Sequence, residues 1–485
     1  MTAPDARRRR LLGGLSALSL SSSGVLGGAS AFAQPTVRKG AGRQPNIVFI
    51  LADDLGWGDL GVYGQTDFQT PQLDRLAKQG IRFTQAYANS AVCSATRFGL
   101  ITGRYQYRLR GGLEEPLAGA GGIGAIGLPP EHPTLPSLLK KVSYRTALLG
   151  KWHLGGLPTF GPLKSGYDQF FGNYGGAIDY FTHKPGVGEN VPEDLYEGEV
   201  PVHKIGYYTE LLGDRAVDYI GQQSAAQPFF LSLHFTAPHW PWEGPQDEAV
   251  AKEINSIFHY DGGSLQTYGR MVGAMDSAIG RVLKALKDKG LDDNTIVVFT
   301  SDNGGERFSR TWPFSGQKTE LLEGGVRVPL IVRWPAHIRA GRVSQQVTIS
   351  MDWLPTLLAA AGGQADPAYA PDGESVLPTL LDAGAPLRER TLYWRYKALE
   401  QRAVRSGDWK YLRINGNEFL FDVVKDTRER ANLAQKHPDV LARLKQQWDA
   451  WNAGMLPITD DVRTYGVEAD KQADRYGSPT GNARR

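Results

Sequence analysis

Apolar runs punctuate the chain, and most of them stop at a cluster of polar residues. GRQPNIVFILADD carries an unbroken apolar run from Ile47 to Leu51 and then Asp53 and Asp54, which predicts a buried strand. In TPQLDRLAKQGIRFTQAY, Thr70 stands as an N-cap and Pro71 at the first helical position, with Leu73, Leu76 and Ala77 on one face. LPSLLKKVSYRTALLGKWH predicts a helix and then a short strand that stops at GKWH. PFFLSLHFTAPHWPW predicts a strand entering a proline-rich loop, NTIVVFTSDNGG a strand entering a polar turn, and VPLIVRWP one more strand. Between them, Val272, Met275, Ile279, Val282 and Leu286 recur at spacings of three and four, an amphipathic helix closed by Gly290.

Strands alternate with helices, and the strands are apolar almost throughout. This predicts an α/β fold: a mostly parallel central sheet covered by helices on both faces. The polar clusters follow the C-terminal ends of the strands, where open α/β sheets bind ligands. Near Thr391 the texture changes. TLYWRYK, QRAVRSGDWKYLRI and EFLFDVV are short aromatic-rich strands broken by turns, and HPDVLARLKQQWDAWNAG follows as a helix. The expected organisation is a main domain over residues 45–385, a smaller C-terminal domain with an antiparallel sheet over 390–460, and a loosely held polar tail over 461–485.

The N-terminus reads separately from all of this. Arg7–Arg10, a weakly apolar Leu/Gly/Ser/Ala stretch and Ala31-Phe32-Ala33 form the layout of a secretory signal over residues 1–33, of the twin-arginine kind. The chain's formal charge of +3 belongs to this segment, because cutting after Ala33 leaves basic and acidic residues equal in number. No domain-scale basic excess remains, so nothing points to nucleic acid. No later apolar run is long enough to span a bilayer. The mature protein is therefore expected in a periplasm or outside the cell. Exported proteins often carry disulfides, yet Cys93 is the single cysteine and cannot form an internal bridge.

Candidate chemistry gathers after the strands. Asp53, Asp54, Asp302 and Asn303 offer hard oxygen donors suited to calcium or magnesium. Zinc would call for histidine or cysteine in quantity, and the histidines are scattered. Arg97, Lys151, His153, His239 and Lys318 add cations or proton carriers at loop positions. Acidic donors with a divalent ion, ringed by cations, suit a tetrahedral oxyanion ester, either sulfate or phosphate.

CSATRFGLITGR, from Cys93 to Arg104, resembles the signature C/S-x-P-x-R-x-x-x-x-T-G-R of the formylglycine-dependent sulfatases, in the alkaline-phosphatase-like superfamily. Cys93, Arg97, Thr102, Gly103 and Arg104 fall at its spacing, and Ala95 replaces its proline. GKWHLG, TSDNGG, EGGVRVP, DWLPTLLAAAG and LFDVVKDTRERANLA resemble further blocks of that family in its order, most of all its arylsulfatase/N-acetylgalactosamine-sulfatase branch. The resemblance implies that a formylglycine-generating or sulfatase-maturating enzyme oxidises Cys93 to formylglycine. The aldehyde hydrate would attack sulfur through one hydroxyl and expel the alcohol; loss of a proton from the other would release sulfate. It further implies one calcium ion on Asp53, Asp54, Asp302 and Asn303, also in contact with residue 93. Arg97 would hold formylglycine, and Lys151 and Lys318 would bind sulfate oxygens. His239 would protonate the leaving alcohol, and His153 would help deprotonate the second hydroxyl. By position in the family, Tyr180, His183, Trp240 and Trp242 are expected substrate contacts.

The expected substrate is a small-molecule or glycan sulfate ester. Two other readings stay open on the residues: a phosphate or phosphonate monoester hydrolase on the same fold, and a non-catalytic glycan-binding relative.

Overall fold

A computed structural model describes residues 43–117 and 124–475. The segment read as a signal lies outside the described residues. The large sheet contains β1 (Asn46–Ala52), β2 (Ile81–Tyr87), β3 (Arg145–Gly150), β4 (Gln169–Gly172), β5 (Tyr196–Glu197) and β6 (Val200–Pro201). It also contains β7 (Phe229–His234), β8 (Thr295–Ser301), β9 (Arg327–Arg333), β10 (Arg342–Ser344) and β11 (Thr348–Ile349). Its order is β10-β2-β9-β8-β1-β7-β3-β4-β5-β6, with β11 also on β2. The centre, β8-β1-β7-β3-β4, is parallel throughout. The flanks are mixed: β9 runs antiparallel to both β8 and β2, and β5 is antiparallel to β4 and β6.

Alternation along the central strands explains why they read as continuous apolar runs. In β1, Val48, Ile50 and Ala52 face one core, while Ile47, Phe49 and Leu51 face the other. The first core packs under helices Pro71–Lys78, Tyr208–Gly221 and Leu265–Asp288. The second packs under Cys93–Thr102, Leu135–Lys140 and Trp353–Ala360. Thr70 precedes its helix as expected but makes no side-chain cap. Its hydroxyl instead accepts from Gly61 N at 2.9 Å and donates to Asp74 at 3.1 Å.

A second sheet is an antiparallel meander of β12 (Thr391–Tyr396), β13 (Gln401–Ser406), β14 (Trp409–Ile414) and β15 (Asn417–Asp422). Val404, Tyr411 and Leu420 pack one face on Leu444 and Trp448 of helix Pro438–Asn452. Trp394, Ala403 and Leu412 pack the other face on Tyr87, Val92 and Ala95. The small sheet therefore buttresses the helix that starts at Cys93. The tail is not loose as far as residue 475: Val462 and Val467 are buried, and Tyr465 N donates to Glu115 O at 2.6 Å.

Candidate active site

Four neighbouring parallel strands, β8, β1, β7 and β3, end on the same edge of the sheet. Pairing of Ala52 with Ser301 sets Asp53 and Asp302 side by side one residue later. His234, last in β7, pairs with Leu51 of β1 and Gly150 of β3, which brings the following loops of all three strands together. Gly150 has φ +109°, and a Cβ there would lie 1.9 Å from His234 O. The glycine allows Lys151 N to donate to His234 O at 3.0 Å and aims Lys151 at the site. The two glycine pairs in the motifs meet each other: Gly304 N donates to Gly325 O at 2.9 Å, and a Cβ on Gly304 would strike Gly324 O at 1.9 Å.

Cys93 opens helix Cys93–Thr102 and is buried. Its Sγ lies 3.2 Å from Asp53 Oδ1 and 3.9 Å from Asp54 Oδ1. Burial, then the Asp53 charge, pushes the thiol well above its ordinary range. Around the thiol, each carboxylate has its own cation. Lys151 Nζ donates to Asp53 Oδ2 at 2.5 Å, and Lys318 Nζ to Asp54 Oδ2 at 2.6 Å. Arg97 grips Asp302 Oδ2 through Nε at 3.1 Å and Nη2 at 2.8 Å, and donates from Nη1 to Lys151 O at 3.0 Å. Burial and the neighbouring Asp302 still push Asp53 up to about 7. Asn303 Nδ2 donates to Asp54 Oδ1 at 2.7 Å, while Asn303 Oδ1 is buried without a hydrogen-bond partner. One ligand atom each from Asp53, Asp54, Cys93 and His239 lies within 4.8 Å of the others.

The histidines have defined tautomers. His153 Nε2 lies 3.0 Å from Leu117 O and must donate to that carbonyl, leaving Nδ1, which is buried without a partner, as an acceptor. His239 Nδ1 donates to Trp240 O at 2.7 Å, and its Nε2 lies 3.6 Å from Asp54 Oδ2. Burial, with Lys151 beside His153 and Lys318 beside His239, holds both rings well below the usual range, so both are neutral. Asp54 and His153 sit at φ +60° and +58°, the left-handed region where the chain reverses at the strand ends.

A sulfatase family model matches residues 45–363. The chain belongs to the sulfatase family. A model of the C-terminal region of N-sulphoglucosamine sulphohydrolase matches residues 316–453. N-acetylgalactosamine-6-sulfatase of Rattus norvegicus is 37% identical to this sulfatase over 395 residues, which cover 76% of this chain and 72% of the relative. Arylsulfatase J of Mus musculus is 30% identical over 473 residues, with coverages of 86% and 77%. The crystal structure of Ps i-CgsB in complex with k-i-k-neocarrahexaose matches with a TM-score of 0.77 at 29% identity, over 90% of this chain and 98% of that one. The phosphonate monoester hydrolase of Agrobacterium radiobacter shares the fold, with a TM-score of 0.61 at 22% identity over 84% and 96% of the two chains.

All of the expected catalytic and metal-site residues of the sulfatase converge here. The expected substrate contacts divide. Trp240 stacks on His239 with ring centroids 4.0 Å apart and lies under Lys318 Nζ at 5.6 Å, so it borders the site. Tyr180, His183 and Trp242 are each buried with partners inside the protein. Tyr180 is fully buried, and its hydroxyl donates to His239 O at 2.9 Å, which makes it a support for His239. The ring of buried His183 is tied by Nε2 to Gly206 O at 3.1 Å, and Trp242 is buried against Phe308 and the Arg307 guanidinium.

Sequence reasoning passed over Gln401. This buried residue of β13 donates to Thr319 O at 2.9 Å and accepts from Leu321 N at 2.8 Å, clamping the loop that presents Lys318. An isolated glutamine in a strand carries no chemical signal; only the fold brings it there.

Proposed function

We propose that this sulfatase releases inorganic sulfate from carbohydrate sulfate monoesters, with formylglycine made from Cys93 and one calcium ion. The carrying observation is Cys93 itself, set on a helix start where three buried carboxylates, two lysines and an arginine meet. The donor set fits a hard divalent cation: Asp53 and Asp54 offer oxygens within 4.8 Å of each other, Asp302 Oδ1 accepts from Asp54 N at 3.3 Å, and Asn303 Oδ1 is orphaned. Asp53, Asp54, Asp302 and Asn303 would hold the ion, which would polarise sulfate oxygens and acidify an attacking hydroxyl. Formylglycine would supply a hydrated aldehyde, with one hydroxyl to attack sulfur and a second whose ionisation expels sulfate.

The protein's own groups perform the rest. Three carboxylates are matched by Lys151, Lys318 and Arg97, so a divalent cation leaves a positive surplus that suits an anionic ester. Lys151 and Lys318 hold sulfate oxygens. Arg97, fixed on Asp302, orients residue 93. An anion beside His239 Nε2 favours the protonated ring, which then protonates the leaving alcohol beside Lys318. The free Nδ1 of His153 takes the proton of the second hydroxyl. Lys318→Ala is expected to lower kcat by about 10²–10³-fold, the scale of a lost oxyanion donor; steady-state kinetics on 4-nitrophenyl sulfate reads it.

Relatives named N-acetylgalactosamine-6-sulfatase, and a solved relative holding a neocarrahexaose, support a sulfated sugar as substrate. The test is a panel of sulfated sugars and aryl sulfates with free sulfate as readout, beside 4-nitrophenyl phosphate. Preference for the phosphate would overturn the reading. Because Cys93 is buried within a helix, its oxidation by a maturation enzyme precedes folding. We also place the protein outside the cytoplasm, on the basic start and the Ala31-Phe32-Ala33 pattern. N-terminal sequencing of the secreted or periplasmic protein is expected to begin at Gln34; a retained Met1 in the cytoplasmic fraction would contradict it.

A further inference from the structure

Both family matches end by residue 453, yet the chain continues back toward the active site. Leu456 N donates to Tyr107 O at 3.0 Å, Thr464 Oγ1 to Glu115 Oε2 at 3.0 Å, and Tyr396 Oη to Tyr465 O at 2.6 Å. These bonds hold Tyr465 over a row of aromatics that starts at the catalytic residues. Trp240, beside His239 and Lys318, contacts Phe258 with centroids 4.5 Å apart. Phe258 lies nearly parallel to Tyr260, at 11°, and to Tyr465, at 16°. The two tyrosine hydroxyls are 2.7 Å apart. Phe258, Tyr260 and Tyr465 are each half-buried, and the Arg307 guanidinium covers one face of Tyr260 at 4.7 Å.

Glu306 stands at the same place, one residue beyond Gly305, whose carbonyl accepts from Lys318 N at 2.9 Å. Its Oε1 accepts from Arg307 Nε at 2.9 Å and from Gln472 Nε2 at 3.4 Å, the latter again from the terminal segment. Its Oε2 is buried and has no partner, in a residue only 2% exposed. Arg307 cannot turn to it, because its other two nitrogens donate to the carbonyls of His259 and Phe258. Arg307, paired with Glu306 at 2.9 Å, also lies over the Tyr260 ring at 4.7 Å, which sets the carboxylate beside the aromatic row. A buried carboxylate oxygen without a donor is costly unless a ligand supplies one.

We propose that the segment after the C-terminal helix completes the substrate site: Tyr465, Tyr260 and Phe258 form the face on which the sulfate-bearing sugar ring stacks, and Glu306 Oε2 accepts a hydrogen bond from a hydroxyl or amide N–H of that ring. Flat aromatic surface suits the C–H face of a sugar, and the free carboxylate oxygen selects a hydrogen-bond donor and disfavours a second anionic group beside it. This rests on the carbohydrate sulfate reading above.

The test compares wild type, Tyr465→Ala, Tyr465→Phe and Glu306→Gln on N-acetylgalactosamine 6-sulfate, or on whichever sulfated monosaccharide of a panel the wild type hydrolyses. Tyr465→Ala is expected to raise KM about tenfold with kcat within about twofold, and Tyr465→Phe to restore it. Glu306→Gln is expected to raise KM for a sugar presenting a free hydroxyl or amide. Should Tyr465→Ala not fold, Tyr260→Ala carries the same expectation. Unchanged KM in a folded Tyr465→Ala or Tyr260→Ala protein would overturn the inference alone. Wild type that hydrolyses 4-nitrophenyl sulfate but no sulfated sugar would overturn the carbohydrate reading first, and this inference with it.

Discussion

Cys93→Ala is expected to abolish sulfate release, a loss of about 10⁴–10⁶-fold in kcat, the scale seen when a covalent nucleophile is removed. The side chain is small, buried and at a helix start, so alanine fits the same space and the fold is retained. Asp53, Asp54, Lys151 and Lys318 remain in place, so the variant keeps its anion site while losing its nucleophile. Cys93→Ser separates the two halves of the reaction. A serine hydroxyl at this position can attack sulfur and expel the alcohol, but its sulfate ester has no second hydroxyl whose ionisation would break the C–O bond that ties the sulfate to the protein. The serine variant is therefore expected to release one equivalent of alcohol and then stall, with its intact mass raised by one SO3 group. Sustained turnover by the alanine variant would show that residue 93 is not the nucleophile.

Lys410→Ala is expected to destabilise the protein by about 3–5 kcal/mol, the cost of stranding buried charges. Lys410 Nζ sits 2.9 Å from both Glu323 Oε1 and Glu429 Oε1, and all three side chains are fully buried. Glu323 also receives Tyr87 Oη at 2.6 Å, Arg327 Nη1 at 3.0 Å and, through its own backbone N, reaches Glu429 Oε2 at 2.7 Å. Without Lys410, two carboxylates face each other with Arg327 as the nearest remaining cation. A fall in apparent melting temperature reads the effect. Adding Glu429→Gln to Lys410→Ala is expected to recover part of the loss, since it removes the stranded charge. Lys410 and Arg327 hold Glu323 down to about 2 against its burial. Its ionised form therefore adds stability above its ordinary pKa of 4.5, and that share is lost as pH falls toward 2. A Lys410→Ala protein as stable as wild type would remove this network from the account.

The central sheet was legible because β1, β7 and β8 bury both faces and so read as continuous apolar runs. The antiparallel placing of β9 was not: VPLIVRWP is equally apolar in either direction, and the choice is made by its partners β8 and β2. The site was legible for a related reason. Residues that follow parallel strands share one edge, so Asp53, Lys151, His239 and Asp302 group together from the sequence alone. Tyr180 and His183 show the limit of this reasoning. A polar tip on a loop residue fits a ligand or a backbone carbonyl equally well, and here His239 O and Gly206 O are the partners. The motif EGGVRVP has a mainly architectural role: Glu323 joins the buried charge network, and the glycines admit the SDNGG turn. Gln401 and Tyr465 act at the site from the far end of the chain, and no local pattern announces either.

The most direct measurement is tryptic mass spectrometry of the peptide containing Cys93 from active protein purified out of a host that has the maturation enzyme. The account predicts an aldehyde, or its hydrate, in place of the thiol, at an occupancy that tracks specific activity between preparations. An entirely unmodified thiol in fully active protein would contradict it.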